Sequence, residues 1–475
     1  MENGKIYCYK ILLSVVIGVI FFMIFIYTTP ILQTQWEINP KEYVHHSLRT
    51  LMSSQNKSTH LNTTIPSTQP TNNSTTKSEQ PKIVNISGTI LKLSDYLFDF
   101  PWTEFQATMK SPKENVYRQK LIDGLQEYAF QEPFVSINRT CKPPPLLEPK
   151  DINCLSYPNA FLPEKNQAPV KIAHAIQLGF DADTLEIHLN ELYDVIDYFF
   201  ILEATRIHCK TLRKKLMWSD LSVQPRFAKF RNKVINLILD DVDVASIKWS
   251  TDKIWTLEAM QEKKRWEKIK EWNKITKALS DNDVIGFGDA DEIASRENIQ
   301  LMKYCTIKPG SLDIGIWFPF GRLDQAFASD WPVSHYGKLK YTLGDPTFYR
   351  WKDISARDST NYPTRKRGRS DNYLLGGIHL TYYTYLPYFM LRTLSATECG
   401  DSSHIFPQEG IKDLLEHHSL ENLEKELEKR AQNSRIQPLR NIEEDLSKIT
   451  ILPWFYRCNE DRYPAWKGNH DTRVV

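Results

Sequence analysis

A chain of 475 residues with 41% hydrophobic and 25% charged side chains has the composition of a globular protein and ample length for a large core. Its formal net charge of +2 gives no general attraction to nucleic acid. The seven cysteines form no Cys-x-x-Cys or His/Cys grouping, which argues against structural zinc.

Residues 1–10 are a short tail carrying Lys5 and Lys10, and Ile11 to Leu32 then runs without a charge, long enough to cross a bilayer core. Within it, Tyr27-Thr28-Thr29-Pro30 offers no Ala-x-Ala-like cleavage site, so 11–32 reads as an uncleaved signal anchor. The next charge is Glu37, so the preceding lysines keep the N-terminus cytosolic. That predicts a single-pass type II membrane protein with a lumenal or extracellular remainder.

From 33 to 90 the chain is dominated by Ser, Thr, Asn, Gln and Pro, which cannot bury enough apolar surface to offset chain entropy; a flexible stem is expected. Sequons at Asn56, Asn62, Asn72, Asn73 and Asn85 in this stretch, and at Asn138 beyond it, fit N-glycosylation of a lumenal chain. Anchor, stem and head suit a Golgi membrane enzyme acting on glycoproteins in transit, and a surface receptor shares that layout. Cys8 falls in the tail. Cys141, Cys154, Cys209, Cys305, Cys399 and Cys458 make an even set in an oxidising compartment, so disulfides are expected. Proximity in a Pro-rich segment nominates Cys141 with Cys154.

Residues 91–169 read as a membrane-proximal collar of helical patterning followed by a Pro-rich link, and 170–475 as the catalytic domain. Val170 to Ile176 alternates as a first strand, with His174 on the face of Ile172 and Ile176, where a core histidine is expected. Asp183-Thr184-Leu185-Glu186 matches a capping box, with Leu185, Leu189, Leu192 and Ile196 at helical spacing behind it. Tyr198 to Leu202 is the next strand, ending on Glu203, a carboxylate placed to contact a nucleotide or to pair with Arg206. Val234 to Leu239 follows, then Asp240, Asp241 and Asp243. A helix from about 251 to 279 carries Leu257, Met260, Ile269, Trp272, Ile275 and Leu279 on one stripe.

Val284 to Phe287 is a short buried strand, and Asp289, Asp291 and Glu292 stand where it ends. This rhythm predicts an α/β, mostly parallel sheet flanked by helices. Asp-x-Asp at a strand end suits a hard cation, Mn²⁺ or Mg²⁺, shared with a sugar-nucleotide diphosphate. Asp289-x-x-Glu292 equally fits a capping box opening a helix over 293–304. Ala294 and Ile293 exclude an EF-hand.

Beyond the motif, 311–320 and 338–351 alternate as strands, and Asp313 lies on the first. Arg365-Lys366-Arg367-Gly368-Arg369 is a basic loop suited to a diphosphate leaving group or to solvent. Gly376-Gly377-Ile378-His379 follows, 411–430 reads as a charged helix, and the tail after Pro453 as a covering segment that Cys458 could tie down.

The run from Asp183 to Phe199, Leu202-Glu203, Asp283-Val284-Ile285 and Asp289-Ala290-Asp291-Glu292-Ile293 together resemble glycosyltransferase family 17. The resemblance covers 172–305 well and extends loosely to Gly376–His379. It implies a type II Golgi protein with a GT-A-like, Rossmann-like fold, inverting transfer of GlcNAc from UDP-GlcNAc to the β-linked mannose of a glycoprotein N-glycan, in the β-1,4 linkage of the bisecting type. Asp289 and Asp291 would hold metal and diphosphate, with Glu203 near the nucleotide; His379 would either complete the metal shell, as a C-terminal histidine in GT-A-like enzymes can, or sit as a packed, hydrogen-bonded residue. The base that deprotonates the acceptor falls to Glu292 or Asp313. Two departures stand out: Ala294 replaces a usual proline, and His208 to Arg213 replaces Gly and Pro residues, so donor or acceptor preference could differ. A metal-dependent phosphohydrolase using Asp240, Asp241 and Asp243 as a second acidic cluster and a non-catalytic glycan-binding protein are the other readings.

Overall fold

The computed structural model describes residues 92–244, 255–327, 342–368, 370–381, 385–396, 406–431, 436–438, 452–469, 471 and 473. The expected anchor and stem, with the sequons from Asn56 to Asn85, lie outside them. Among the described residues no helix is long and apolar enough to cross a membrane.

Three helices open the described chain: α1 (Leu93–Phe98), α2 (Trp102–Thr108) and α3 (Glu114–Ala129). Their Leu97, Trp102, Phe105, Leu121 and Leu125 are buried in the same core as the following domain. The Pro-rich link then runs to β1 (Phe161–Lys165). Next come β2 (Ile172–Gln177), α4 (Ala182–Leu192), β3 (Tyr198–Ala204), the short α5 (Trp218–Leu221), β4 (Val234–Leu239), α6 (Asp241–Val244) and the long α7 (Thr256–Thr276). The central β5 (Val284–Asp289) leads to β6 (Glu292–Ala294), α8 (Arg296–Tyr304) and β7 (Cys305–Ile307). Then follow β8 (Leu312–Trp317), β9 (Pro319–Phe320), β10 (Arg322–Phe327), β11 (Thr342–Arg350), α9 (Trp351–Ile354) and β12 (Asn372–His379). The chain closes with α10 (Leu386–Ser395), α11 (Gln408–His417), α12 (Glu421–Ala431), β13 (Ile436–Pro438) and α13 (Trp454–Cys458).

Eight strands form the main sheet in the order β4-β3-β2-β5-β11-β8-β12-β6. The β4-β3-β2-β5 block is parallel throughout, and its inner strands β3, β2 and β5 are near-continuous buried runs, as strands covered on both faces must be, while the edge strand β4 is half-buried. Past β5 the pairing is mixed: β11 is antiparallel to both β5 and β8, β12 is parallel to β8, and β6 is antiparallel to β12. The sheet is therefore mixed, with four of its seven strand pairs parallel. The βαβ rhythm that signals parallel pairing ends at β5, and the later strands carry no crossover helix of that kind.

Both expected capping boxes give way to tertiary demands. Helix α4 starts two residues earlier, with Asp181 at its N-cap, because Asp183 and Glu186 turn inward to buried arginines. The stretch after Asp289 is strand β6, and α8 is capped instead by Ser295, whose side chain accepts from the Asn298 N–H at 3.3 Å. The charged segment from 411 splits into α11 and α12 where His418 takes a left-handed backbone conformation. Ile275, expected on the buried stripe of α7, is 59% exposed.

The disulfide pairing is also corrected. Cys141 joins Cys458 and Cys154 joins Cys305. Sequence neighbours Cys141 and Cys154 lead to different parts of the core, so nearness along the chain misleads. Cys458 does tie down the tail, and Cys209 is disulfide-bonded as well.

Candidate active site

From β2 the chain steps to β3 and β4 on one side, then returns to place β5 on the other side of β2. Ligand crevices in open α/β sheets lie at such a reversal, beyond the carboxyl ends of the strands. Gln177 at the end of β2 pairs with Asp289 at the end of β5, so the acidic motif opens on that crevice. Gly288 lets the neighbours close in. A Cβ there would lie 2.9 Å from Pro346 Cβ and 3.0 Å from Glu292 Oε2.

Glu292 reaches back so that its carboxylate accepts the Asp289 backbone N–H at 2.9 Å, one half of a capping box without the helix. The Asp289 carboxylate instead accepts from Arg365 Nη1 at 2.5 Å, and Glu292 accepts from the same nitrogen at 3.2 Å. Burial raises the Asp289 pKa, but the charges of Arg365 and Arg367 outweigh it and hold the carboxyl below its ordinary value. Glu292 goes the other way, pushed well up by burial and by the Asp345 and Asp289 charges. Asp289 Oδ1 is buried and, among the described residues, has no hydrogen-bond donor.

Asp291 is buried beside His379, whose Nε2 lies 3.8 Å from Asp291 Oδ2. The backbone joins them as well, since the Leu380 N–H donates to the Asp291 carbonyl at 2.8 Å. Burial lowers the His379 pKa, keeping the ring neutral and suited to donate a lone pair, and its Nδ1 finds no partner among the described residues. Among the described residues no three His, Cys, Asp or Glu side chains are arranged to hold a metal ion by themselves.

The other expected site residues sit apart. Glu203 is buried, and its carboxylate accepts the backbone N–H groups of Met217 (2.5 Å) and Trp218 (3.0 Å) and the Asn236 amide (3.2 Å), with Lys214 Nζ at 3.7 Å. Asp313 is fully buried and accepts from Thr347 Oγ1 at 2.8 Å and the Ser370 N–H at 3.1 Å. Asp240, Asp241 and Asp243 are no second cluster: Asp240 caps the following turn, Asp241 pairs with Arg206, and Asp243 faces Lys264 and Lys268. Asn138 is exposed, with its Oδ1 accepting from Thr140 Oγ1 at 2.7 Å. His174 is the expected core histidine.

Two carboxylates of the crevice escaped sequence reasoning. Asp181 reaches about 7, raised by burial and the Asp291 charge. Asp345 is also raised to about 7, by burial foremost against the pull of Arg365 and Arg367. Neither Asp345 oxygen has a hydrogen-bond donor among the described residues, and Arg367 Nε stands 4.0 Å away. An Asp-Pro step inside a strand was its only local signal, since proline marks an irregularity there, and β11 does shift register between Gly344 and Thr347.

Residues 161–316 match the family model for glycosyltransferase family 17. No curated protein matches the chain. The matched stretch runs from β1 into β8 and contains Glu203, Asp289, Asp291, Glu292 and Asp313, whereas Asp345, Arg365 and His379 come from the chain beyond it. The segment that builds the acidic crevice is thus similar to glycosyltransferase family 17 over about a third of the chain.

Proposed function

We propose that the protein is a type II Golgi membrane enzyme that transfers GlcNAc with inversion from UDP-GlcNAc to the β-linked mannose of glycoprotein N-glycans, in the β-1,4 linkage of the bisecting type. The observation that carries it is Asp289-Ala290-Asp291 at the end of β5, facing the switch-point crevice inside the family segment. Asp289, Asp291 and His379 would hold Mn²⁺ or Mg²⁺: hard oxygens, an Asp289 oxygen with no donor among the described residues and a neutral imidazole fit such an ion, with donor phosphates taking the other positions. When bound, the cation neutralises charge on the departing diphosphate.

The acceptor hydroxyl loses its proton as it attacks, and a carboxylate must receive it. Of the two expected bases, Glu292 borders the crevice, while Asp313 is held by Thr347 and Ser370. Asp345 is a third carboxylate facing the same charges and has no donor of its own among the described residues. Glu203 supports the nucleotide side by fixing the turn at Met217 and Trp218.

A second reading, the same chemistry with a different donor or acceptor, draws on His208 in the departing segment. Its ring nitrogen lies 3.1 Å from Gln177 Nε2 and 2.6 Å from Gln261 Oε1, building a polar wall at the end of β2.

The full chain in detergent, given a panel of UDP-sugars and N-glycan acceptors with Mn²⁺ or with EDTA, tests both. Metal-dependent transfer from UDP-GlcNAc that Asp291→Asn abolishes supports the first reading; transfer from another donor supports the second. Glu292→Gln and Asp345→Asn should separate the base, since loss of its carboxylate lowers kcat about 10²-fold or more while donor binding persists. Indifference of a bound donor to Asp291→Asn would sink the metal role.

A further inference from the structure

The basic loop is built into the acidic crevice. Arg365 has only 3% of its side chain exposed, yet four carboxylates converge on its guanidinium. Nη1 donates to Asp289 and Glu292, Nη2 to Glu258 at 2.9 Å, and Nε to Glu262 at 3.4 Å. Glu258 and Glu262 stand one turn apart on α7, so a single side chain joins the long helix, the end of β5 and β6. Burial works against the charge, but Asp289 and Glu292 foremost keep the guanidinium firmly protonated.

Asp289 thus has one oxygen held by Arg365 and the other, Oδ1, buried with no donor among the described residues. A divalent cation on Oδ1 would face the guanidinium on Oδ2 across one carboxylate, so the two positive charges oppose each other there. We propose that Arg365 is the internal counter-ion of the donor site, holding Asp289 until a divalent cation and the donor diphosphate displace it. This rests on the metal reading of Asp289 and adds a residue that sets how tightly the cation binds. The displaced guanidinium stays beside the crevice on a loop with Lys366 and Arg367, where a planar fork meets a diphosphate well.

The contact is coupled to the loop backbone, because the Lys366 N–H donates to Thr347 Oγ1 at 2.8 Å. Displacement of Arg365 strains or breaks that bond. Mn²⁺ binding to the full chain in detergent, followed by titration calorimetry, should therefore tighten at least tenfold in Arg365→Gln, with Arg365→Lys between it and the parent. In the unmutated chain, Mn²⁺ should speed amide exchange across 362–368. Equal or weaker Mn²⁺ binding in Arg365→Gln, with the parent still binding, overturns the proposal and leaves the metal site standing. Absence of Mn²⁺ binding in all three proteins removes the metal reading and the proposal with it. If Arg365→Gln does not fold, Arg365→Lys and the exchange of the unmutated loop decide: unchanged exchange on Mn²⁺ binding overturns the proposal.

Discussion

His188 shows how a residue outside the crevice shapes it. Its Nδ1 lies 2.9 Å from the Ala290 carbonyl, between the two aspartates of the motif, so that nitrogen carries the proton and donates. Its Nε2, left as acceptor, faces His174 Nδ1 at 3.2 Å, which must then be the donor. Two neutral rings with fixed tautomers hold the turn, and protonating His188 sets its Nε2–H against the His174 N–H. Burial accordingly lowers the His188 pKa to about 4 and takes His174 well down. The unfolded chain binds the proton from its ordinary value near 6.5, so the folded state binds fewer protons between those pH values. This contribution is complete above about pH 6.5 and is lost as pH falls toward 4, for up to about 3 kcal/mol. Urea unfolding at pH 7 and pH 5 should show that loss, and His188→Gln should shrink it. An identical pH slope in the variant would place the titration elsewhere.

At the scale of elements, the strands were legible and the helix starts were not. Largely apolar runs over Val234–Leu239 and Val284–Phe287 give β4 and β5 nearly at their boundaries; in β5 burial writes directly into composition, whereas β4 keeps its apolar run at the sheet edge with Ile238 exposed. Local signals misplaced the start of α4, since Asp183 and Glu186 answer to partners far along the chain. Arg462 Nη2 donates to both Glu186 oxygens at 3.0 and 3.1 Å, Arg473 reaches Asp183 at 2.7 Å, and Arg226 touches both carboxylates. No sequence window contains that network. Burial raises the Asp183 carboxyl, yet Arg473 and Arg226 pull it below its ordinary value, the mark of a well-paired group. Removing one member of a buried pair strands its partner at a cost of about 3–5 kcal/mol. Arg462→Met should therefore lower the urea midpoint by that order and expose the segment from Trp454 to limited proteolysis. Lys425→Met, which breaks an exposed pair with Glu421 on α12, should leave the midpoint where it is.

At the scale of the molecule, the crevice is assembled from segments that only folding brings together. The acidic motif was readable as one stretch with a strand before it. Asp181 and Asp345 were not, and Arg365 was read only as one of a basic run, because the turn before α4, strand β11 and the loop before β12 meet the end of β5 only in the fold. The disulfides follow the same rule. Cys141–Cys458 closes a separation of 317 residues and Cys154–Cys305 one of 151, fastening the Pro-rich link to the tail and to β7. In the chain-entropy account the stabilisation grows only with the logarithm of loop length, so each bridge contributes about 5 kcal/mol. The longer loop then adds well under about 1 kcal/mol beyond the shorter. The paired variants Cys141→Ser with Cys458→Ser, and Cys154→Ser with Cys305→Ser, should therefore lose similar stability in urea unfolding. The second bridge also joins the rim of β7, next to β1, so packing there could add to its loss. Near-equal losses mean that the bridges act on the unfolded chain; a loss several kcal/mol larger for the Cys154–Cys305 pair means that its main work is holding β1 against β7 in the folded one.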